Sequence, residues 1–234
     1  METLPQRRQK ASGPAVPQPP LPGRRRFLGR LLAWAGCLAG LRAWPGAAAS
    51  PAPRRVLPAG TSAATLVDDN PAHLDIRHLE LTPAELRGVM GRRDSPVSAQ
   101  DFRLAVEGLV ERPLRLDYAA LTALPAVERR VLLVCPGTFS FLALWKGVRP
   151  VEILERAGRR PGARFVDIAT RPDAYGGRVE RFPLAEVAED RLLLAWAIDD
   201  APLPEPHGFP LRLVAEDRYG NVWVKYVEFL RVVG

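Results

Sequence analysis

The run Val131-Leu132-Leu133-Val134-Cys135-Pro136-Gly137 lies near the middle of this 234-residue chain, and the other predicted elements are arranged around it. An unbroken row of apolar residues is typical of a strand that is buried on both faces. Proline and glycine end the row, because proline cannot donate to a strand ladder and glycine permits a tight turn. We therefore expect Cys135 at the end of a buried strand, with its sulfur exposed by the turn that follows.

Strands and short helices are predicted on both sides of this strand. Apolar runs and alternation predict strands at residues 102–108, 164–169, 191–198, 211–214 and 222–233. Helical spacing and stop signals predict short helices at residues 117–124, 150–157 and 183–188, and the capping box Thr82-Pro83-Ala84-Glu85 predicts a further helix start. The sequence has no internal repeat and no regular alternation of strand and helix. The expected fold class is α+β, with mixed sheets and short helices.

The charges of the chain are divided unevenly between its two parts. Of 33 basic and 26 acidic side chains, residues 1–49 hold eight basic ones and a single acid, Glu2. The rest of the chain therefore carries 25 side chains of each sign and is formally neutral. A nucleic-acid-binding domain is instead basic over its folded body. We expect no nucleic-acid partner, and a body long enough to bury one sizeable core.

Residues 1–49 are predicted to be an export signal. The stretch Gly23-Arg24-Arg25-Arg26-Phe27-Leu28-Gly29 resembles the twin-arginine motif, in which an Arg pair is followed by Phe-Leu. The apolar stretch that follows is shorter than the roughly 20 residues that a spanning helix needs. Small residues then predict cleavage near Ala49. This implies export to the periplasm by the twin-arginine machinery; a basic stretch on a membrane surface and a lipoprotein anchored at Cys37 are the alternatives.

Two further segments follow the predicted signal. Residues 50–80 are rich in Pro and Ala at their start and predict a linker and an N-terminal arm. Residues 81–234 contain the predicted strands and helices, and we expect them to form the functional domain.

Cys135 is the strongest candidate for chemistry. The chain has two cysteines, and Cys37 lies in the predicted leader, so a disulfide framework is excluded. The three histidines have no metal-ligand spacing, and no nucleotide, hydrolase, haem or iron–sulfur motif is present. The Cys135 thiol is then a nucleophile, a soft metal ligand or an inert buried group. The metal-ligand alternative requires a metal that is held mostly by something other than protein.

Four blocks of sequence carry a resemblance to a known family. They are Val134-Cys135-Pro136-Gly137, Trp145-Lys146-Gly147-Val148, Gly208-Phe209-Pro210-Leu211-Arg212-Leu213-Val214 and Trp223-Val224-Lys225-Tyr226. In this order they resemble the molybdopterin-binding domain of the sulfite oxidase family, which includes sulfite oxidases, assimilatory nitrate reductases and a periplasmic methionine-sulfoxide reductase. The resemblance runs from about Leu81 to Gly234 and implies the sulfite-oxidase-type fold.

The resemblance also implies a cofactor and the residues that hold it. The cofactor is molybdenum with one pyranopterin dithiolene (molybdopterin), and Cys135 is the implied protein ligand of the metal. The other implied cofactor-binding positions are Thr170, His207, Arg212, Trp223, Val224 and Lys225. A cofactor phosphate requires fixed cations, which Arg212 and Lys225 supply. Tyr175 is a candidate catalytic residue that hydrogen-bonds a substrate oxygen, and Trp145 is expected to pack in the core.

The implied activity is two-electron oxygen-atom transfer on a small sulfur-containing or oxyanion substrate. The sequence has no second redox motif, so electrons are expected to pass to a separate cytochrome or membrane haem protein. Pro136-Gly137-Thr138 replaces the Gly-Asn-Arg run that follows the cysteine in sulfite oxidases, which leaves the substrate open. The alternatives are a non-catalytic binding module of the same fold, with Cys135 merely buried, and a thiol-dependent enzyme.

Overall fold

The structure is a computed structural model that describes residues 53–83, 96–172 and 177–234. Its strands are β1 (Arg55–Val56), β2 (Leu74–Asp75), β3 (Leu104–Gly108), β4 (Leu114–Leu116), β5 (Val127–Cys135), β6 (Phe139–Val148), β7 (Phe165–Thr170), β8 (Val179–Pro183), β9 (Leu192–Ile198), β10 (Ala201–Pro202), β11 (Arg212–Ala215) and β12 (Val227–Val233). The helices are α1 (Tyr118–Thr122), α2 (Pro150–Ala157) and α3 (Leu184–Ala188), and short 3-10 turns include Ala63–Thr65, Pro71–His73 and Glu205–His207.

Most of the strands belong to two sheets, of which the first is antiparallel throughout and the second is mixed. In the first sheet the order is β10-β9-β6-β5, and β11 also pairs with β9. In the second sheet the order is β4-β3-β12-β7-β8, with β12 parallel to β3 and antiparallel to β7. The predicted α+β class with mixed sheets and short helices is confirmed. One large core contains side chains of both sheets, among them Leu133, Phe141, Val166 and Leu230.

The helices begin and end where their local signals lie. Helix α2 has Pro150 at its first position and ends at Gly158, whose φ of +69° is a backbone conformation that favours glycine. Helix α1 is capped by Asp117, whose carboxylate accepts a hydrogen bond from the Ala120 N–H at 2.8 Å. Among the described residues no helix is long and apolar enough to cross a membrane. The helix predicted from the capping box falls on residues 84–95, which lie outside the described ranges.

Strand β5 is buried on both faces, as its apolar row predicts. Val131 and Leu133 point into the main core, whereas Leu132 and Val134 join a second cluster on the other face. The strand ends at Cys135 in a turn, where the Thr138 N–H donates to the Cys135 carbonyl at 3.0 Å. The chain then returns as β6, which pairs with the whole length of β5.

Strand β6 was not predicted from the sequence. Gly147 lies near the end of this strand, and a glycine at such a position is a local signal for a strand break. The structure explains this glycine, because a Cβ at this position would lie 2.1 Å from the Leu194 carbonyl oxygen of β9. The close approach of the two backbones requires glycine within a continuous strand.

The described part of the segment predicted as a linker and an N-terminal arm packs on the first sheet. Leu57, Leu66, Leu74 and Leu79 are buried against the second face of β5 and β6. Thr82 fastens the end of this arm, because its N–H donates to the Leu142 carbonyl at 2.8 Å and its hydroxyl accepts from the Leu142 N–H at 2.9 Å. The burial of these leucines was not predicted, because the segment is rich in Pro and Ala and its leucines follow neither the helical nor the strand period. We call residues 53–83 the N-terminal arm.

The strand predicted over residues 222–233 is shorter than expected. Its regular part begins at Val227, and Tyr226 before it has a φ of +57°. The residues from Val222 to Tyr226 instead leave the second sheet and run beside β11, where the Leu213 N–H donates to the Val224 carbonyl at 2.8 Å. This change of direction brings the segment to the candidate site.

Candidate functional site

The Cys135 sulfur lies at the end of β5 against the backbone of a glycine. The Gly220 N–H donates to the Val134 carbonyl at 2.8 Å. A Cβ at Gly220 would lie 2.7 Å from the Cys135 Sγ and 2.8 Å from a Leu133 methyl carbon. The half-buried thiol therefore depends on the missing side chain of Gly220. Gly220 was not predicted as a site residue, although Gly220-Asn221 is a turn signal just before the block that begins at Trp223.

The N-terminal arm also holds the turn that follows Cys135. The Gly137 N–H donates to the Val67 carbonyl at 3.1 Å, and the Ser140 hydroxyl donates to the Ala63 carbonyl. Gly137 has a φ of +66°, which explains why glycine is needed there. The position of the thiol thus depends on contacts with residues far earlier in the chain.

Burial and two cations act on the Cys135 thiol in opposite directions. Burial raises the pKa of the thiol above its ordinary value, and the positive charges of Arg212 and Lys225 offset part of that rise. Without a bound metal the sulfur is therefore protonated at neutral pH. A metal ion at this position would deprotonate it, because a coordinated thiol loses its proton.

Arg212 is a buried cation between two indole rings. It is the first residue of β11 and is 1% exposed. Its guanidinium carbon lies 5.3 Å from the Trp145 ring centroid and 5.2 Å from that of Trp223, which are distances for cation–π contact. One guanidinium nitrogen donates to the His207 carbonyl at 3.0 Å. Burial lowers the pKa of Arg212 to about 10, so the side chain remains a cation at neutral pH.

Lys225 is a second cation on the same side of the site. Its ammonium group donates to the Pro206 carbonyl at 3.1 Å. Burial, and next the positive charge of Arg212, lower the pKa of Lys225 to about 8, whereas Glu205 and Cys135 counteract that shift. Two neighbouring cations that repel each other provide a site in which a bound anion would be stabilised.

Trp223 and Val224 connect this pair of cations to the sheet. The Trp223 indole N–H donates to the Arg218 carbonyl at 3.1 Å, and its ring meets the Trp145 ring edge-on at 5.5 Å between centroids. Val224 is buried, and its carbonyl accepts the β11 hydrogen bond described above. Both residues therefore hold the backbone of Lys225 in place.

The His207 ring packs with the rings of Phe141, Trp145 and Trp223 in an aromatic cluster. It is 1% exposed and lies 5.6 Å from the Phe141 centroid and 6.5 Å from the Trp145 centroid. Its carbonyl is the acceptor for Arg212. The expectation that Trp145 packs in the core is confirmed, because Trp145 is fully buried.

Thr170 belongs to the second sheet and not to this cluster. Thr170 is the last residue of β7 and pairs with Val227 of β12, directly after Tyr226. Its hydroxyl lies 3.4 Å from the Arg171 carbonyl. Tyr175 falls outside the described residues. The structure therefore brings Cys135 and Arg212 of the first sheet close to turn and loop residues, namely His207, Trp223, Val224 and Lys225. Thr170 lies on the second sheet.

A cavity of about 470 Å³ lies beside the segment that carries Gly220. Its lining residues are Asn70, Ala72, Arg191, Asp217, Arg218, Tyr219, Asn221 and Val222. Arg191 pairs with Asp217 at 2.6 Å, and Arg218 pairs with Glu186 at 2.7 Å. Both arginines of the lining are therefore paired with carboxylates.

The chemistry of these donors fits a metal that is carried by an anionic cofactor. In the described part of the chain no group of three or more His, Cys, Asp or Glu side chains forms a metal site. A metal at Cys135 would thus take most of its ligands from a non-protein group. The neighbouring cations Arg212 and Lys225 are suited to the negative charge of such a group.

Together with the two-sheet fold, this site is that of a molybdopterin-binding domain. Residues 92–234 match the family described as the oxidoreductase molybdopterin-binding domain, and the chain belongs to that family. Molybdenum with molybdopterin is therefore its cofactor class, as the resemblance implied.

Named relatives agree with this membership. The chain is 31% identical over 163 residues to the protein-methionine-sulfoxide reductase catalytic subunit of Gluconobacter oxydans, covering 62% of this chain and 52% of that protein. It is 29% identical over 183 residues to a nitrate reductase of Cichorium intybus, covering 65% of this chain and 20% of that protein. The solved sulfane dehydrogenase SoxCD of Paracoccus pantotrophus shares the fold with a TM-score of 0.57 and 26% identity, over 86% of this chain and 56% of that one. The chain thus spans about half the length of the first of these relatives.

Proposed function

We propose that the protein catalyses two-electron oxygen-atom transfer on a small substrate at a molybdenum–molybdopterin centre. The observation that carries the proposal is the lone Cys135 thiol at the end of β5, beside the fixed cations Arg212 and Lys225. This arrangement supplies one soft ligand and a place for a phosphate. A merely buried structural cysteine would require neither of the two cations.

The protein's own residues would bind and orient the cofactor. Cys135 would hold the metal through sulfur, and Arg212 and Lys225 would bind the phosphate by charge-assisted hydrogen bonds. The buried rings of Trp145, Trp223 and His207 would keep water away from these cations, which strengthens their attraction for an anion. When bound, the cofactor supplies the redox change and the transfer of the oxygen atom.

We propose further that the substrate is a small neutral sulfoxide rather than an oxyanion. The cavity beside Gly220 supports this choice, because Arg191 and Arg218 in its wall are both paired with carboxylates. An anion that enters such a cavity loses water without gaining an uncompensated cation. Asn70, Tyr219 and Asn221 are side chains that can hydrogen-bond a neutral S=O group. The methionine-sulfoxide reductase relative points to the same substrate class.

Substrate preference gives the direct test. We expect the purified, molybdenum-loaded protein to reduce methionine sulfoxide or dimethyl sulfoxide, with a reduced viologen dye as electron donor. The kcat/KM for the better sulfoxide should exceed that for nitrate at least about tenfold, which corresponds to ~1.4 kcal/mol. Molybdenum content is measured on the same samples.

Three results would contradict this assignment. A protein with full molybdenum that prefers nitrate, or that oxidises sulfite, would remove the sulfoxide proposal but leave the enzyme class. A folded protein from a molybdenum-replete host that lacks both metal and pterin would instead favour the non-catalytic binding module. Stoichiometric alkylation of Cys135 accompanied by thiol-dependent turnover would favour the thiol enzyme.

We propose a separate electron-transfer partner, such as a cytochrome or a membrane haem protein. Oxygen-atom transfer moves two electrons in each turnover, and these must enter from outside the site. The relative from Gluconobacter oxydans is named a catalytic subunit, a term that implies a further subunit. The proposal is supported by this name and by the absence of a second redox motif from the sequence.

We also propose export by the twin-arginine route. Replacing Arg24 and Arg25 together with Lys is expected to keep the protein in the cytoplasm, because the pair is read by a receptor and not as charge. Fractionation of cells measures the result, and the N-terminus of the mature protein should lie near residue 50. The matched control replaces Arg7 and Arg8 with Lys, which changes a second Arg pair that no Phe-Leu follows. Normal periplasmic levels of the first double variant would count against export by this route.

A further inference from the structure

Three successive carbonyls of one turn are bound by three side chains of the candidate site. The Tyr226 hydroxyl donates to the Glu205 carbonyl at 3.0 Å, Lys225 donates to the Pro206 carbonyl at 3.1 Å, and Arg212 donates to the His207 carbonyl at 3.0 Å. The Tyr226 hydroxyl also lies 3.3 Å from the Glu205 carboxylate. Two of these donors are the proposed phosphate-binding cations, and the third, Tyr226, has no role in the site described so far.

A bulge in the backbone brings these three donors together. The Leu213 N–H donates to the Val224 carbonyl, and the Val227 N–H donates to the Leu211 carbonyl, both at 2.8 Å. Between these two hydrogen bonds, one segment contributes a single residue, Arg212. The opposite segment contributes two residues, Lys225 and Tyr226. An extra residue of this kind bends a strand and redirects its side chains, and bulges are frequent next to active sites.

Tyr226 carries the backbone conformation that forms the bulge. Its φ of +57° is the left-handed conformation, which is unfavourable for a residue with a large side chain. Such a conformation persists only when other contacts hold it. The hydroxyl contact with Glu205 is one such contact, and burial of the ring is another.

The same turn fits closely around the stem of Lys225. Gly208 has a φ of +106°, and a Cβ at this position would lie 2.9 Å from the Lys225 Cβ. On the other side, the Lys225 ammonium lies 5.6 Å from the Tyr226 ring centroid. The position of the Lys225 ammonium is therefore set by the turn and the ring, and Tyr226 connects the two.

We propose that Tyr226 is a positioning residue for the anion site. Its hydroxyl fastens the Glu205–His207 turn, and its left-handed backbone directs Lys225 next to Arg212, so that both cations face one phosphate. Tyr226 acts through Lys225 and does not itself bind the cofactor. This inference rests on the proposed function, in which Lys225 holds the phosphate of the cofactor.

A double-mutant cycle on the holoenzyme tests this role. The variants are Tyr226→Phe, Lys225→Met and the pair together, and the readout is the rate at which each diluted holoenzyme loses pterin and molybdenum. We expect Lys225→Met to lose its cofactor at least about tenfold faster than the wild type. Tyr226→Phe should lose it about threefold to tenfold faster, because each substitution removes a hydrogen bond. If Tyr226 acts through Lys225, adding Tyr226→Phe to Lys225→Met should change the rate less than twofold.

Amide hydrogen exchange provides a second readout that does not require activity. The His207 and Gly208 N–H groups close the turn by donating to Pro204 and Glu205. We expect Tyr226→Phe to speed their exchange several-fold while amides of β3 stay unchanged. Tyr118→Phe is the matched control, because it removes the hydroxyl of a different, half-buried tyrosine, whose ring packs on Phe102 and Phe209. It should leave both readouts at the wild-type level.

The possible results separate the two proposals. Lys225→Met with wild-type cofactor retention would overturn the phosphate role of Lys225 and this inference with it. Faster loss in Lys225→Met, combined with an additive effect of Tyr226→Phe, would overturn the positioning role alone. Unchanged exchange at residues 207 and 208 in Tyr226→Phe would also overturn it.

Discussion

Cys135→Ser is expected to give a folded protein that retains part of its cofactor but loses oxygen-atom transfer by about three orders of magnitude. The substitution keeps the size of the side chain and replaces a soft thiolate with a hydroxyl, a poor ligand for a metal already bound by sulfur. Loss of a residue that merely orients a metal ligand costs about 10–100-fold, so loss of the ligand itself should cost more. The contacts of Arg212 and Lys225 remain, which explains the partial retention. X-ray absorption at the molybdenum edge should show one sulfur fewer around the metal.

The other cysteine supplies the control for this substitution. Cys37→Ser makes the same change in the predicted leader and should leave the metal content and activity of the mature protein unchanged. If Cys135 were merely buried, Cys135→Ser would lower the free energy of unfolding by ~1 kcal/mol and leave activity intact. An unchanged sulfur count around molybdenum would remove Cys135 from the metal site.

Trp145→Ala should have the largest effect on stability, a loss of about 3–5 kcal/mol in the free energy of unfolding. The fully buried ring packs on Phe141 and Trp223 and covers one face of the Arg212 guanidinium. Its indole N–H also donates to the Val131 carbonyl of β5 at 3.2 Å. A domain of this size has a total stability of roughly 5–15 kcal/mol, so the loss removes a large part of it. Urea unfolding of the apoprotein measures the change.

Truncation of an exposed side chain is the control, because it removes side-chain atoms without changing the packing of the core. Val179→Ala, on an exposed residue of β8, should change stability by no more than about 0.5 kcal/mol. Trp145→Phe should fall between the two, because it retains part of the ring but not the N–H. A loss below about 1 kcal/mol for Trp145→Ala would mean that the packing of Trp145 on Phe141 and Trp223 contributes little to stability.

The packing of the N-terminal arm could not be predicted from its composition. Pro and Ala dominate its first residues, and its leucines follow neither the period of a strand nor that of a helix. Leu57, Leu66 and Leu74 nevertheless become buried, because the outer faces of β5 and β6 present Leu132, Val134 and Leu142 to them. Whether a segment without periodicity is buried depends on the surface against which it packs. The sequence pattern of the segment itself does not show that surface.

The sequence by itself determined the elements whose signals are local. The apolar row and the Pro136-Gly137 turn placed Cys135 at the end of a buried strand, and Pro150 and Gly158 bounded α2. These predictions succeed because burial of an apolar run and the φ preferences of proline and glycine are properties of neighbouring residues. The order of the four sequence blocks further identified the family.

Only the tertiary structure decided which distant residues meet at the thiol. Gly220 lies against the Cys135 sulfur because the chain after β11 crosses the end of β5. Tyr226 adopts a left-handed conformation that its own side chain disfavours, and Arg212 stays charged between two indole rings at a depth where a lone cation is costly. In each case long-range packing overrides the local preference, so the reason lies in contacts between segments that are far apart in the sequence.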